Sequence, residues 1–179
     1  MSDFLDCLPD SDSLLSFRQA GDYVVATVSF GPDEGDGSLL LRQIGGTWSM
    51  LHRDGGALAA HDLHRLGVPT DCWDRLLANP TSPQDVQEIR HRGPAWPATA
   101  HQRLETADLD LFGNWELQLM EWEIYARRGC IFQDPLATEY FASRPWYRPD
   151  PQYSPNQLSD TESFNAKFLA LTRTQRPST

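Results

Sequence analysis

Two apolar runs, residues 38–44 and 47–52, are separated by Gly45-Gly46 alone. So short a link between extended runs leaves one geometry, an antiparallel hairpin. A two-residue turn that matches the strand twist needs positive φ at both positions, which glycine takes without strain. A further run rich in β-branched and aromatic residues, 23–30, follows Gly21-Asp22 and precedes a turn cluster at 32–37. The first half is therefore predicted to open with a three-stranded antiparallel meander.

Asp54-Gly55-Gly56 ends the meander. Leu58, Leu63 and Leu66 then recur at helical spacing over 57–66, with Gly67 as a stop and Pro69 blocking continuation. A second short helix is expected over 71–78 with Thr70 as its N-cap. A break at 79–83 leads to a short polar helix over 84–92. Gly93-Pro94-Ala95-Trp96-Pro97 cannot be helical and reads as a linker. The fold class expected is α+β. Residues 1–92 form a domain of meander and two short helices, 93–102 a linker, and 103–179 a small all-helical module.

Composition limits what such a chain can do. Hydrophobic residues make up 40% of the 179, and six Trp, eight Phe and five Tyr supply core volume. The net charge is −10, and residues 1–37 hold eight acids against one base, Arg18. An acidic surface of this kind repels phosphate backbones, so no nucleic acid is expected as a partner. Cys7, Cys72 and Cys130 are odd in number and widely spaced, which excludes a disulfide framework. No run of apolar residues is long enough to span a membrane. The sequence as given lacks a secretory signal and reads as cytoplasmic; a form from which a signal had been removed would be periplasmic or secreted.

The helix predicted from Trp115 to Arg128 is the most informative element. Asn114 is its expected N-cap, and Gly129 ends it in the left-handed region. At about 100° per residue, Trp115, Leu119, Trp122 and Ala126 fall on one flank, and Leu117, Met120 and Ile124 on the other. Glu116, Glu123 and Arg127 lie between the flanks. Glu123 and Arg127 are four apart in the favourable order, so a partly buried salt bridge is expected there. With Gly129 they are assigned structural roles. Glu121, Tyr125 and Arg128 form an i, i+4, i+7 row on the remaining face. A tyrosine on a polar face invites a ligand or a packing element.

Further on, Asp134 or Pro135 is expected to start a short helix to Ser143, and Trp146 and Tyr147 lie between Pro145 and Pro149 in a segment that cannot be helical. Ser159 to Glu162 reads as a capping box for a last helix. Phe164, Phe168 and Leu171 are its expected buried stripe, and the tail is expected to fray from Thr172.

Tyr125-Ala126-Arg127-Arg128-Gly129, followed by Phe132, Leu136, Tyr140-Phe141, Trp146-Tyr147, Pro149, Leu158, Glu162 and Asn165, resembles the YARHG domain over residues 114–171. The resemblance implies a compact helical module of a kind found mostly in exported or envelope-associated bacterial proteins. It implies no established activity. Two departures stand out. Arg128 replaces the histidine of the motif, and Glu121-Trp122 stands where the family usually has Arg-Asn. Arg128 cannot take part in acid–base chemistry near neutral pH.

No catalytic set, metal site or cofactor is expected. His61 and His64 share a helix face, with His52 and His91 elsewhere. Zinc needs three or four matched ligands, and surface histidines explain this pattern. No phosphate loop and no nucleophile elbow is present. The leading expectation is a non-enzymatic binding or protein-interaction module. Its partner would be a protein, an envelope polymer or another subunit of a larger assembly, held at Glu121, Tyr125, Arg128, Trp146 and Tyr147. The alternative is a hydrolase of an envelope polymer with Glu123 or Glu162 as acid–base.

Overall fold

The structure is a computed structural model that describes residues 4–10, 12–31, 34–79 and 81–176. Pro32 and Asp33 of the expected turn cluster, and Pro80 of the expected break, lie outside the described residues. The chain divides into two compact units, residues 1–89 and 90–179.

The first unit holds a four-stranded antiparallel sheet, where three strands were expected. Its strands are β1 (Ser13–Ala20), β2 (Tyr23–Ser29), β3 (Asp36–Ile44) and β4 (Thr47–Asp54), in the order β1-β2-β3-β4. Register follows from the two hairpins. Ala20 pairs with Tyr23 across Gly21-Asp22, and Ile44 pairs with Thr47 across Gly45-Gly46. Gly45 and Gly46 take φ of 60° and 86°, as the hairpin argument requires.

The missed strand is β1, for a physical reason. It is an edge strand, and all its residues but Ala20 are exposed or half-exposed. Burial therefore imposes no clean alternation on its sequence. A bulge between Leu14 and Ser16 also breaks the period at Leu15.

Val24, Ala26, Val28, Leu39, Leu41 and Trp48 form the core on one sheet face, where Phe4 of a 3-10 turn (Phe4–Cys7) also packs. Gly37 admits no other residue. A Cβ there would lie 2.2 Å from the Asp54 carbonyl oxygen and from the Phe30 ring.

Three helices follow: α1 (Ala60–Arg65), α2 (Trp73–Leu76) and α3 (Pro83–Arg90). Thr70 does not cap the second helix. It begins a 3-10 turn (Thr70–Cys72) that runs straight into α2. Trp73 is fully buried and donates its indole N–H to the Val68 carbonyl at 2.9 Å.

The second unit contains a 3-10 turn (Pro97–Ala100), α4 (Thr106–Leu109), α5 (Asn114–Ala126), α6 (Pro135–Ala142), a 3-10 turn (Pro155–Gln157) and α7 (Asp160–Gln175). Trp96, Leu117, Met120, Ile124, Phe141 and Leu169 belong to its core. Asn114 is the first residue of α5, and Gly113 holds the cap position expected of Asn114.

The linker expectation fails. Trp96 is 9% exposed within this core, and the backbone of 95–102 is held by side chains of α5 and α7. Pro94 keeps the start of this stretch irregular, and the stretch forms only the short 3-10 turn that Pro97 opens. Its N–H and C=O groups are thereby left for side chains to satisfy.

The phase of α7 also differs from expectation. Its buried residues are Glu162, Asn165, Ala166 and Leu169, while Phe164 and Leu171 are exposed. Two buried polar side chains with fixed partners set the inward face, and the aromatic stripe is turned outward. The helix runs past Thr172, where fraying was expected, to Gln175, and residues 177–179 of the expected tail lie outside the described residues. Arg173 donates to Gln118 and Glu121, and Arg176 to the carbonyls of Phe112 and Leu109.

Candidate functional site

Glu123 is 1% exposed and accepts three hydrogen bonds. The N–H groups of Ala95 and Trp96 donate at 2.6 and 2.8 Å, and Arg127 donates at 3.3 Å. Arg127 also reaches the Trp96 carbonyl at 3.1 Å and the Thr99 hydroxyl at 2.7 Å. The pair thus pins the stretch before α4 onto α5. Burial pushes the Glu123 carboxyl up, against the pull of the Trp96 and Ala95 N–H groups and of Arg127 and Arg144. Burial likewise lowers Arg127, while Glu123 and Glu162 raise it.

Glu162 is also 1% exposed. Arg128 donates to it from Nε and Nη2, at 3.1 and 2.7 Å to one oxygen. The Ser159 N–H donates to the same oxygen at 2.9 Å, and the Ser159 hydroxyl accepts from the Glu162 N–H, which closes the expected capping box. Burial opposes ionisation of Glu162. The bonds from Arg128 and Ser159 outweigh it and hold the carboxyl below its usual range.

Both carboxylates considered for acid–base work are therefore fixed by cations and backbone donors. Neither lines the cleft of about 230 Å³ bounded by Trp96, Thr99, Leu104, Asp108, Phe112 and Met120. Two of the polar residues at that cleft are engaged within the unit. Thr99 donates to the Trp96 carbonyl, and Asp108 accepts from the Glu105 N–H.

The five expected binding residues fall into two groups. Glu121 and Arg128 pair with Arg173 and Glu162 of α7, so this row lies along the contact between α5 and α7. Tyr125 stands half-buried between them in the row. Burial raises its phenol, with Glu121 and Cys130 adding to the effect.

Trp146 and Tyr147 belong elsewhere. The Phe132 and Phe141 rings stack at 4.9 Å and 13°. Trp146 meets Phe141 edge-on at 5.9 Å, and Tyr147 lies 5.5 Å from Phe141 and 6.3 Å from Phe132. The Tyr147 hydroxyl donates to the Cys130 carbonyl at 2.6 Å. Tyr153 is hydrogen-bonded to the Cys130 side chain. Burial, with Cys130 and Tyr125 nearby, pushes its phenol up to about 12.

The sequence reading missed the continuation of this aromatic group. Trp122 lies 6.4 Å from Phe132, and Trp115 meets Trp122 edge-on at 5.8 Å. Trp115, Trp122, Phe132, Trp146 and Tyr147 are all half-buried. Trp115 and Trp122 are seven apart and share a flank of α5. That spacing was the available signal, but it reads equally well as core.

Gly129 adopts φ of +85° as expected, and a Cβ there would lie 2.7 Å from the Asp150 side chain and 3.0 Å from the Arg148 carbonyl oxygen. Among the described residues no three His, Cys, Asp or Glu side chains are grouped so as to hold a metal ion, and no helix is long and apolar enough to cross a membrane.

The unit is thus a small helical module, with its polar residues committed to its own packing and aromatic rings along one flank. Residues 93–172 match the family model of the YARHG domain. The match begins at Gly93 and includes the stretch that was expected to be a linker. No curated protein and no solved structure matches the chain.

Proposed function

We propose that the chain is a non-enzymatic binding protein whose YARHG domain holds its partner on the row Trp115, Trp122, Phe132, Tyr147 and Trp146. The partner is a protein or an envelope polymer. The observation that carries this reading is the row itself. Trp115, Trp122, Phe132 and Tyr147 contact one another in series at 5.8–6.4 Å, Trp146 joins them through Phe141 at 5.9 Å, and each of the five remains half-buried. Large amphipathic rings held rigid by neighbouring rings offer contact area at low entropic cost, which is why they dominate binding hot spots.

Glu121, Tyr125 and Arg128 move from partner contact to support, since α7 engages the two charges. The hydrolase alternative loses support, because Glu123 and Glu162 are ion-paired and neither lines the cleft.

The test is retention. The full chain and a Trp122→Ala/Trp146→Ala variant are compared for co-sedimentation with purified cell-wall polymer and for recovery of protein partners on the immobilised chain. The variant is expected to lose the polymer or at least one specific partner while keeping its far-UV circular dichroism. A folded variant that retains every ligand of the parent would overturn the assignment of the row.

A further inference from the structure

The apolar stripe of α7 faces outward. Phe164 is 38% exposed, Leu171 is 54% exposed, and Phe168 lies half-buried between them at i, i+4, i+7 spacing. Phe164 and Phe168 stack at 5.9 Å and 19°, so the outer ring is held by the inner one. Two cations flank the stripe. The Arg103 guanidinium sits 4.7 Å from the centre of the Phe164 ring. Lys167, the only lysine in the chain, is exposed between Phe164 and Leu171. Neither cation makes an ion pair among the described residues. Asp160, in the first turn of α7, is the one acid on the row.

We propose that this stripe docks an acidic amphipathic helix of a partner protein. The partner's apolar row would pack on Phe164, Phe168 and Leu171, and its carboxylates would meet Arg103 and Lys167. The proposal rests on the reading of the chain as a binding protein, but it places a second surface on another face of the same domain.

Charge selects this occupant. A second copy related by a two-fold axis through the stripe would bring Lys167 against its own symmetry mate and supply no carboxylate row for Arg103 and Lys167. Nucleic acid presents phosphate and sugar outward and offers no apolar row to pack on Phe164, Phe168 and Leu171. Anionic membranes recruit clusters of about four to eight basic residues, and here there are two. An acidic helix meets an apolar row with cations on its flanks, the helix-in-groove mode of recognition with electrostatic steering added. The contact is small, so binding is expected to be transient.

The experiment uses the full chain and a fluorescently labelled synthetic helix with leucines at i, i+3, i+4 and i+7 and glutamates on either side. A twin peptide carries lysines in place of the glutamates. By fluorescence anisotropy the glutamate peptide is expected to bind, and added salt should weaken it. Lys167→Glu and Leu171→Ser should each weaken it about tenfold or more. Both positions are exposed, and unchanged circular dichroism confirms that the variants fold. The lysine peptide is expected not to bind.

Failure of the glutamate peptide to bind, equal binding of both peptides, or indifference to both substitutions would overturn the proposal. So would Leu171-dependent dimerisation in sedimentation equilibrium, or Leu171-dependent capture on anionic vesicles. Trp122→Ala/Trp146→Ala should leave peptide binding unchanged. If that variant loses the peptide while Lys167→Glu does not, the α7 surface is wrong and the aromatic row stands.

Discussion

Asn165→Asp isolates the interaction on which the YARHG unit depends most. Asn165 is fully buried. Its side-chain oxygen accepts from the Leu104 N–H at 2.9 Å, and its amide nitrogen donates to the carbonyls of Thr99 and Gln102, both at 2.8 Å. One side chain of α7 thus satisfies three backbone groups of the non-helical stretch before α4. Aspartate has the same shape and keeps the first bond. It turns the double donor into an oxygen aimed at two carbonyl oxygens. Two hydrogen bonds are lost, two carbonyls go unsatisfied, and a charge is buried without a cation. These terms sum to roughly 3–5 kcal/mol. Residues 90–179 make up the unit, and a unit of that size has roughly 5–13 kcal/mol in all.

In urea unfolding followed at Trp96, Trp115, Trp122 and Trp146, the midpoint for this unit should fall by roughly 2 M. Acid should restore part of the loss. The buried aspartate has a folded pKa above its unfolded value of about 3.9. Its protonated form is favoured in the folded state, so the variant loses stability as pH rises from that value. A variant within about 1 kcal/mol of the parent, with no such pH dependence, would refute the arrangement of the amide.

Four further outcomes are expected. Gly129→Ala should cost about 1–3 kcal/mol in thermal unfolding, because φ is +85° and the new methyl meets the Arg148 carbonyl and the Asp150 side chain. Gly37→Ala should cost as much or more, or give insoluble protein, because backbone and the Phe30 ring occupy the Cβ position at 2.2 Å. Glu162 is held below its usual pKa by Arg128 and Ser159. The unfolded chain therefore binds the proton first, and the stability from this group is present at neutral pH and lost as pH falls through the folded pKa. Glu162→Gln should flatten the acid limb of the stability profile below about pH 4.5. Arg128→His should make the pair with Glu162 sensitive near neutrality. An imidazole raised by Glu162 stabilises below about pH 6.5 and stops doing so as pH rises through its folded pKa. Urea midpoints of the variant should fall by about 1 kcal/mol equivalent between roughly pH 6 and 8, where the parent is flat.

How much of this was legible in the sequence depends on the element. The β3–β4 hairpin was, because two glycines between two apolar runs leave one backbone solution. The α5 face was, because burial of Leu117, Ile124 and Glu123 follows the helical period. The capping box at Ser159 was, because it is local. Edge strand β1 was not, since an exposed strand carries no period that burial enforces, and its bulge removes what alternation remains. The phase of α7 was not, since apolar count favoured Phe164, Phe168 and Leu171. The winning face holds Glu162 and Asn165, whose partners lie 34 and 61–66 positions away in the chain. A polar residue reads as buried only once its distant partner is known.

The phase of α7 shapes the domain itself. Helix α7 is amphipathic in an inverted sense, with polar anchors inward and aromatic rings outward. The inward anchors are the motif positions. Glu162 meets Arg128, Asn165 meets the stretch 99–104, and Glu123 with Arg127 meets 95–99. In this chain these polar residues are thus an assembly code by which α5 and α7 capture a segment that forms no more than a 3-10 turn. Polar side chains spent on assembly are unavailable for ligands. On the binding function proposed above, recognition falls to what the code leaves outside, the aromatic flank of α5 and the outer stripe of α7. In this chain Arg128 strengthens that division, because a permanent cation pairs with Glu162 at any physiological pH, where the motif's histidine would pair conditionally.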